Sequence, residues 1–236
     1  MPPLTLSLPD GTRISVTGKI DRVDTFTQDG KTYLRVLDYK TGGKEFKLGE
    51  VVEGINLQMF IYLFTLCRDD LPRYGGAKPA GVLYLPTTMP VIDADKSGKA
   101  VSDEEREQKQ LKHMQMDGLL IDDPVALEAM DTTGSGSFIP NYSTQKGAAA
   151  HLATLDQLGR LKRRMEDLLL QMAQMLRAGK IGTLPFENGN WNACDRSCDY
   201  RDVCGFEDGD PRRTPTLGLQ DRIVGEEATE PTPPHE

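Results

Sequence analysis

Two short segments near the start of the chain bring together residues that could bind a metal ion. One segment contains Asp21, and the other contains Asp38 and Lys40. Between them, Asp29 and Gly30 are flanked by alternating apolar residues, which is a strong signal for a two-residue β-hairpin turn. Counting outward from that turn places Asp21 opposite Asp38.

The same register predicts which side chains share a face of the sheet. Asp24 faces Arg35 and forms an ordinary cross-strand charge pair, while Lys40 lies on the same side as Asp38 and Tyr39 points away. Two facing carboxylates destabilise a hairpin unless a cation lies between them. The pattern therefore predicts a divalent metal site, and the competing interpretation is a charged surface hairpin without a ligand.

A helix is expected directly after these strands. From about Glu50 to Cys67, apolar residues recur at helical spacing. Gln58 and Tyr62 are four residues apart, so they lie on one face, one turn from each other. This helix would present both side chains toward the strand ends.

The order of these segments resembles the PD-(D/E)xK nuclease superfamily, in its RecB-like branch. The motifs that carry the resemblance are Gly18-Lys19-Ile20-Asp21, Asp38-Tyr39-Lys40-Thr41-Gly42, and Gln58 followed by Tyr62. The run from Ile20 to Asp24 looks most like the C-terminal nuclease domain of AddB-type helicase–nuclease subunits, and the resemblance covers residues 4–207. It implies an α/β, restriction-endonuclease-like fold, in which a mixed sheet is flanked by helices.

The resemblance also implies roles for these residues. Asp21, Asp38 and the backbone carbonyl of Tyr39 would bind Mg²⁺ or Mn²⁺, and Lys40 would orient the attacking water. Gln58 and Tyr62 would position the lysine and the DNA backbone. The expected activity is metal-dependent exonuclease cleavage of DNA, with an AddA-type helicase–nuclease subunit as partner, in double-strand-break end processing and recombinational repair.

A cysteine cluster near the end of the chain is the second group of candidate ligands. It consists of Cys194, Cys198 and Cys204. With no signal peptide or membrane-spanning run, we expect a reducing, cytoplasmic compartment, where clustered cysteines bind metal more often than they form disulfides. The spacing leaves zinc and an iron–sulfur cluster open. The resemblance implies a 4Fe–4S cluster that clasps the C-terminal end, with a fourth cysteine located N-terminal to the nuclease fold.

The chain departs from the family pattern at the cysteines and the histidines. The first cysteine gap is three residues instead of two, and no cysteine precedes Asp21. Cys67 is expected to be a small buried hydrophobe, although it stays open as the fourth ligand. Family members have a metal-binding histidine before the first strand, whereas His113, His151 and His235 match no such position and are expected to be solvated. We therefore expect a fragment that begins at the sheet, with the fourth cysteine upstream.

Composition limits the remaining possibilities. The chain has 236 residues, of which 38% are hydrophobic and 27% charged, and its formal net charge is −8. This size suits one domain with one sizeable core. Free-standing duplex-binding modules are usually basic, so we expect other domains to hold the DNA.

The rest of the chain yields a coarse map of elements. We expect a nuclease domain over residues 1–207 and a disordered, acidic, Pro-rich tail over 208–236. Strands are predicted at 4–8, 13–24, 79–86 and 118–123, a surface excursion at 93–110, and a flexible loop at 132–137. A long helix is predicted to begin at Leu155, with Thr154 and Gln157 forming a capping box and Gly179 ending it. Its apolar stripe comprises Leu158, Leu161, Met165, Leu168, Leu169, Met172 and Leu176.

Two alternative functions remain. One is a stand-alone RecB-like exonuclease of the CRISPR-associated type. The other is a non-catalytic DNA-binding or scaffold domain, which the presence of Asp21, Asp38 and Lys40 argues against.

Overall fold

The computed structural model describes residues 1–42, 45–92, 101–132, 136, 138–139, 151–189, 191–194, 198–207 and 209–225. The strands in these ranges are β1 (Leu4–Ser7), β2 (Arg13–Val16), β3 (Arg22–Gln28), β4 (Lys31–Lys40), β5 (Lys78–Pro86), β6 (Asp117–Ile121), β7 (Leu152–Ala153), β8 (Glu187–Asn188) and β9 (Trp191–Asn192). The helices are α1 (Leu48–Val52), α2 (Gln58–Leu66), α3 (Asp103–His113), α4 (Pro124–Met130), α5 (Leu155–Arg177) and α6 (Leu219–Val224).

A five-stranded mixed sheet forms the centre of the fold, in the order β3-β4-β5-β6-β7. β3 and β5 are antiparallel to β4 and β6 respectively, whereas β4–β5 and β6–β7 are parallel pairs. A parallel pair needs a long crossover connection, and α1 and α2 lie in the one that joins β4 to β5. The predicted mixed sheet with flanking helices is confirmed.

The predicted hairpin register is also confirmed. Asp24 pairs with Arg35 and Val23 with Val36. Asp29 and Gly30 both have positive φ, at 50° and 73°, as a type I′ turn requires. Arg35 Nη2 lies 2.9 Å from an Asp24 carboxylate oxygen. This ion pair is the cross-strand pair that the sequence predicted.

Hydrophobic residues cover both faces of the sheet. The larger core includes Leu34 and Val36 of β4, and α2 and α5 pack in the same cluster. The smaller core contains Leu37 and Leu83. Helix α5 begins as predicted, because Thr154 and Gln157 form the capping box. None of the described helices has the length and apolar character needed to cross a bilayer.

The strand predicted over residues 13–24 is wrong in its extent. The chain forms β2, leaves the sheet between residues 17 and 21, and re-enters as β3. β2 pairs only with β1, in a separate two-stranded sheet. The break contains Gly18, whose backbone lies directly against the Tyr62 ring. A continuous strand would not bring Gly18 to this contact.

The single helix predicted over residues 50–67 is likewise two helices. α1 ends at Val52 and α2 begins at Gln58. Gly54 (φ 93°) and Asn56 (φ 59°) adopt left-handed conformations between them. Such residues cannot continue a right-handed helix, although the apolar spacing itself runs across the break.

The surface excursion predicted over residues 93–110 also needs correction. Residues 93–100 lie outside the described part of the chain, but α3 begins at Asp103. Ser102 and Glu105 form a capping box, which is the start signal that the charged composition obscured. Asp123 caps α4 in a similar way, with Pro124 in its first turn, and this helix was not predicted. From the predicted loop at 132–137, only residues 132 and 136 are described.

The predicted disordered tail is wrong for residues 209–225. This segment contains α6, whose Val224 is buried. Arg160 of α5 donates hydrogen bonds to the carbonyls of Ile223 and Gly225, each at 2.9 Å. The Thr216 amide donates to the buried carboxylate of Glu53 at 2.5 Å. Leu219, Ile223 and Val224 also pack against the main core, so apolar contacts and hydrogen bonds together attach this segment to α1 and α5. The Pro-rich sequence around these few apolar residues favoured the prediction of disorder.

Candidate active site

Asp38 and Lys40 lie at the end of β4 and form the centre of the candidate site. Asp38 is buried, with 9% of its surface exposed. Its Oδ2 atom contacts the Lys40 ammonium in an ion pair. The two side chains therefore share one side of the sheet, as alternation predicted, while Tyr39 is 43% exposed.

Asp21 reaches the same strand end from the neighbouring strand. It lies one residue before the first paired position of β3, where Arg22 pairs with Leu37. The Tyr39 amide donates a hydrogen bond of 3.1 Å to Asp21 Oδ2. The Asp21 carboxylate is thus held against the backbone of β4, at the residue between Asp38 and Lys40.

These residues fit a divalent metal ion. Carboxylate oxygens are hard ligands that Mg²⁺ and Mn²⁺ prefer. A buried carboxylate is costly unless a cation compensates its charge; the Lys40 ammonium does so for Asp38, and a bound metal ion would add to this compensation. Within the described ranges no three acidic, His or Cys side chains converge. Two carboxylates with backbone or water oxygens therefore form the available ligand set.

Gln58 and Tyr62 lie together on the first two turns of α2, against the segment that precedes Asp21. Gln58 Nε2 donates to the Tyr62 hydroxyl at 3.1 Å. Tyr62 is 7% exposed, and its ring and hydroxyl contact the backbone of Gly18. Since Gly18 belongs to the same segment as Asp21, α2 and the first acidic motif are held against each other.

Arg22 and Tyr39 lie on the exposed face of the hairpin. Hydrogen bonding and charge from Asp24 raise the pKa of Arg22, with a further contribution from Tyr39. Burial alone would raise the pKa of Asp24, but hydrogen bonds and charge from Arg22 and Arg35 outweigh it and lower that pKa. Arg22 and Asp24 therefore stabilise each other in their charged forms. Together with Arg35 they form a network of ion pairs that does not include the Asp38 carboxylate.

The structure adds Tyr84 and Asp117, which the sequence did not single out. Tyr84 of β5 pairs with Asp38 on one side and with Asp117 of β6 on the other. Burial raises the pKa of Tyr84 to about 12, with further contributions from Asp38, Asp117 and Glu50. Tyr84 lies within an apolar strand and Asp117 starts a short one, so only strand order could have placed them beside Asp38.

His151 is not simply solvated, as was expected. Its Nδ1 lies 3.2 Å from Asp117 Oδ1 and 3.0 Å from the Gly118 carbonyl oxygen. The hydrogen bond with Asp117 raises the pKa of His151 despite its partial burial. Asp117 Oδ2 also accepts a hydrogen bond of 2.6 Å from the Phe46 amide. Asp117 thus connects the segment after β4 to the start of β7.

The cysteines are only partly assembled. Cys194 and Cys204 line one cavity of about 430 Å³, and Cys198 is exposed outside its lining. The Phe206 amide donates to Cys204 Sγ at 3.4 Å. In the part of the chain that the structure describes, the three thiols do not converge on one metal position. The described residues therefore do not show the predicted cysteine clasp, and residues 195–197 lie outside the described ranges.

Cys67 behaves as a buried hydrophobe. It follows the last turn of α2 and packs against the main core. Burial raises the pKa of its thiol to about 12. A metal ligand must be a thiolate, so this environment disfavours Cys67 as the fourth ligand.

Comparison with known proteins identifies the family of this chain. A sequence model described as the PD-(D/E)XK nuclease superfamily matches residues 3–205. The B-type subunit of an ATP-dependent helicase/deoxyribonuclease from Thermoanaerobacter sp. (strain X514) is 34% identical over 211 residues, which cover 87% of this chain and 18% of the relative. The protein of the same name from Clostridium kluyveri (strain NBRC 12016) is 32% identical over 236 residues, 97% of this chain and 20% of its own length.

The chain spans about a fifth of the length of these curated relatives. Asp21, Asp38 and Lys40, on which the sequence resemblance is based, lie within the matched residues. The predicted resemblance to AddB-type proteins is also confirmed by the names of the matching relatives. The chain belongs to the PD-(D/E)XK nuclease superfamily.

Proposed function

We propose that this chain is a metal-dependent DNA exonuclease domain. The observation that carries the proposal is the buried Asp38 carboxylate at the end of β4, with the Lys40 ammonium in contact with it. Asp21 is tied to the backbone between them. Two carboxylates and a lysine at one strand end suit the hydrolysis of a phosphodiester bond.

In this mechanism Asp21, Asp38 and the Tyr39 carbonyl would hold Mg²⁺ or Mn²⁺. A bound divalent ion polarises the scissile phosphate and lowers the pKa of a water molecule. Lys40 orients the attacking water and stabilises the negative charge that develops on the phosphate. Gln58 and Tyr62 position the lysine and the DNA backbone, with Tyr62 held in place by its contact with Gly18.

We place this domain in a longer helicase–nuclease protein of the AddB type. The relatives named as helicase/deoxyribonuclease components support this placement, and their names imply DNA as substrate. The partner is then an AddA-type helicase–nuclease subunit, and the process is double-strand-break end processing and recombinational repair. The net charge of −8 is compatible with this setting if other domains of the complex hold the DNA.

For the cysteines, we propose a 4Fe–4S cluster in the longer protein. Cys194, Cys198 and Cys204 would bind it together with a fourth cysteine outside this chain. The shared cavity of Cys194 and Cys204 supports the proposal. Iron analysis and visible absorbance of the anaerobically purified longer protein test it, and stoichiometric zinc without iron would contradict it.

The nuclease proposal is tested with Asp38→Asn, Asp21→Asn and Lys40→Ala in the longer protein. The two acidic substitutions should weaken Mn²⁺ binding, measured by calorimetry, and abolish cleavage of linear DNA. Lys40→Ala should retain metal binding but slow cleavage by about 100-fold or more, as expected for loss of a group that stabilises the transition state. A matched control is Asp24→Asn, an acidic residue of the same hairpin that pairs with Arg35.

The control should keep both metal binding and cleavage. Cleavage at the wild-type rate by either acidic-residue variant would contradict the proposed site. DNA binding without any cleavage by the wild-type protein, in all divalent metals, would favour the non-catalytic scaffold instead.

A further inference from the structure

The aromatic ring of Tyr84 lies next to the catalytic lysine of the proposed site. Lys40 Nζ is 5.2 Å from the centroid of the ring. This separation is within the range in which the negative face of an aromatic ring attracts an ammonium group. Tyr84 pairs with Asp38 in the parallel β4–β5 register, so the lysine side chain folds back over both neighbours.

Lys40 contacts a charged group, the Asp38 carboxylate, and an uncharged one, the Tyr84 ring. The Asp38 carboxylate must also hold the metal ion in the proposed function, so its charge is shared once metal is bound. The Tyr84 ring carries no net charge and does not compete for the metal ion. It can therefore hold the ammonium near the reacting phosphate while Asp38 is engaged.

Tyr84 itself is held rigidly. It is 5% exposed, and the ring centroid of Phe46 is 6.5 Å away. Phe46 is fixed in turn, because its amide donates to Asp117 Oδ2 at 2.6 Å and its ring packs 6.2 Å from Phe60. A ring that is packed on several sides cannot follow a mobile lysine, so it defines where the ammonium rests.

We propose that Tyr84 is a positioning residue, whose ring face fixes the Lys40 ammonium beside the metal site. The inference rests on the proposed nuclease function. It assigns the effect to the ring and not to the hydroxyl group. In this proposal the hydrogen bond from the Phe46 amide to Asp117 also contributes, because it holds Phe46 against the Tyr84 ring.

The test compares Tyr84→Leu with Tyr84→Phe in the longer protein. Phenylalanine keeps the aromatic ring and removes only the hydroxyl group. Leucine is also apolar but has no aromatic ring. Phe64→Leu is a matched control, because Phe64 is another buried ring, packed 6.1 Å from Phe60 on α2. The first readout is acetylation of Lys40 by an amine-reactive ester with Mn²⁺ bound, measured by peptide mass spectrometry against the other lysines. The second is steady-state cleavage, with metal affinity measured separately.

We expect Tyr84→Leu to raise the relative acetylation of Lys40 and to lower kcat by about tenfold, the size of a partly desolvated cation–π contact. Metal affinity should stay unchanged. Tyr84→Phe and Phe64→Leu should resemble the wild type in both readouts below their melting temperatures. A purely structural role for Tyr84 would lower stability without selectively changing Lys40 acetylation.

Wild-type acetylation of Lys40 in Tyr84→Leu would overturn the inference, as would equal losses in Tyr84→Leu and Tyr84→Phe. Neither result would affect the proposed function if Lys40→Ala still slows cleavage by about 100-fold or more. Full cleavage by Lys40→Ala would instead overturn the proposed role of the lysine, and the positioning role with it.

Discussion

The ring of Tyr62 lies so close to the backbone of Gly18 that a Cβ atom at position 18 would come within 2.5 Å of both Tyr62 Cε1 and the hydroxyl oxygen. Real Cβ atoms do not approach other atoms this closely. Only glycine fits here without displacing the tyrosine. The contact couples the segment that carries Asp21 to α2, which carries Gln58.

Gly18→Ala should therefore displace Tyr62 and break its hydrogen bond with Gln58. We expect a loss of about 1–3 kcal/mol in the free energy of unfolding, as is typical for overpacking at a tight contact. Chemical denaturation measures this change, and cleavage assays should show reduced kcat. Gly42→Ala is the control, because a Cβ at Gly42 meets nothing within 4 Å. Equal stability of the two variants would show that Tyr62 yields without cost.

His151 should make the stability of the fold depend on pH. Its pKa is raised, first by the hydrogen bond with Asp117 and also by the charge of Glu45. The resulting stabilisation is fully present below the unfolded pKa of about 6.5 and is lost as pH rises through the higher folded pKa. The difference in unfolding free energy between the wild type and His151→Phe should thus be larger at pH 5.5 than at pH 8.5.

The control for this prediction is the same substitution in an Asp117→Asn background. Without the carboxylate, the largest cause of the raised pKa of His151 in the folded protein is lost. The effect of His151→Phe on the unfolding free energy should therefore depend much less on pH. An unchanged pH dependence in that background would mean that another group, and not Asp117, carries the effect.

Arg160 should hold α6 against α5. Its guanidinium donates to the carbonyls of Ile223 and Gly225. Arg160→Ala leaves these carbonyls without their donor, so hydrogen exchange over residues 219–225 should speed up and proteases should cut there. Arg163→Ala, an exposed arginine of the same helix, should leave exchange in this segment unchanged. Equal exchange in both variants would show that apolar contacts alone hold α6.

Cys67 should react slowly with alkylating reagents. At pH 8 a thiol with a pKa of about 12 contains very little thiolate, and the thiolate is the reactive form. In the metal-free chain, mass spectrometry after brief iodoacetamide treatment should find Cys198 and Cys204 modified and Cys67 unmodified, since the first two are exposed. Rapid modification of Cys67 would reopen its candidacy as a ligand.

Local signals in the sequence determined the central hairpin. Asp29 and Gly30 tolerate positive φ, which fixes the two-residue turn and therefore the register of β3 and β4. Alternation along β4 then placed Asp38 and Lys40 on one side. The start of α5 was predictable for the same reason, because a capping box involves only Thr154 and a residue three positions later.

Elements whose form depends on distant partners were not predictable in this way. The apolar spacing from Glu50 to Cys67 hides the break before Gln58, because the spacing records burial and not backbone conformation. The break at Gly18 follows from contact with Tyr62, 44 positions further along the chain. Likewise, α6 is held by hydrogen bonds from α5 and by core contacts of Leu219, Ile223 and Val224, and both depend on partners that are distant in the chain.

The sequence by itself therefore determined the ligand types, the hairpin and the order of the family motifs, because each depends on residues close together in the chain. Only the tertiary structure decided which residues surround those ligands. Strand order sets Tyr84 between Asp38 and Asp117, since β5 lies between β4 and β6. That order results from packing the whole sheet between its helices, and no short segment of the chain encodes it.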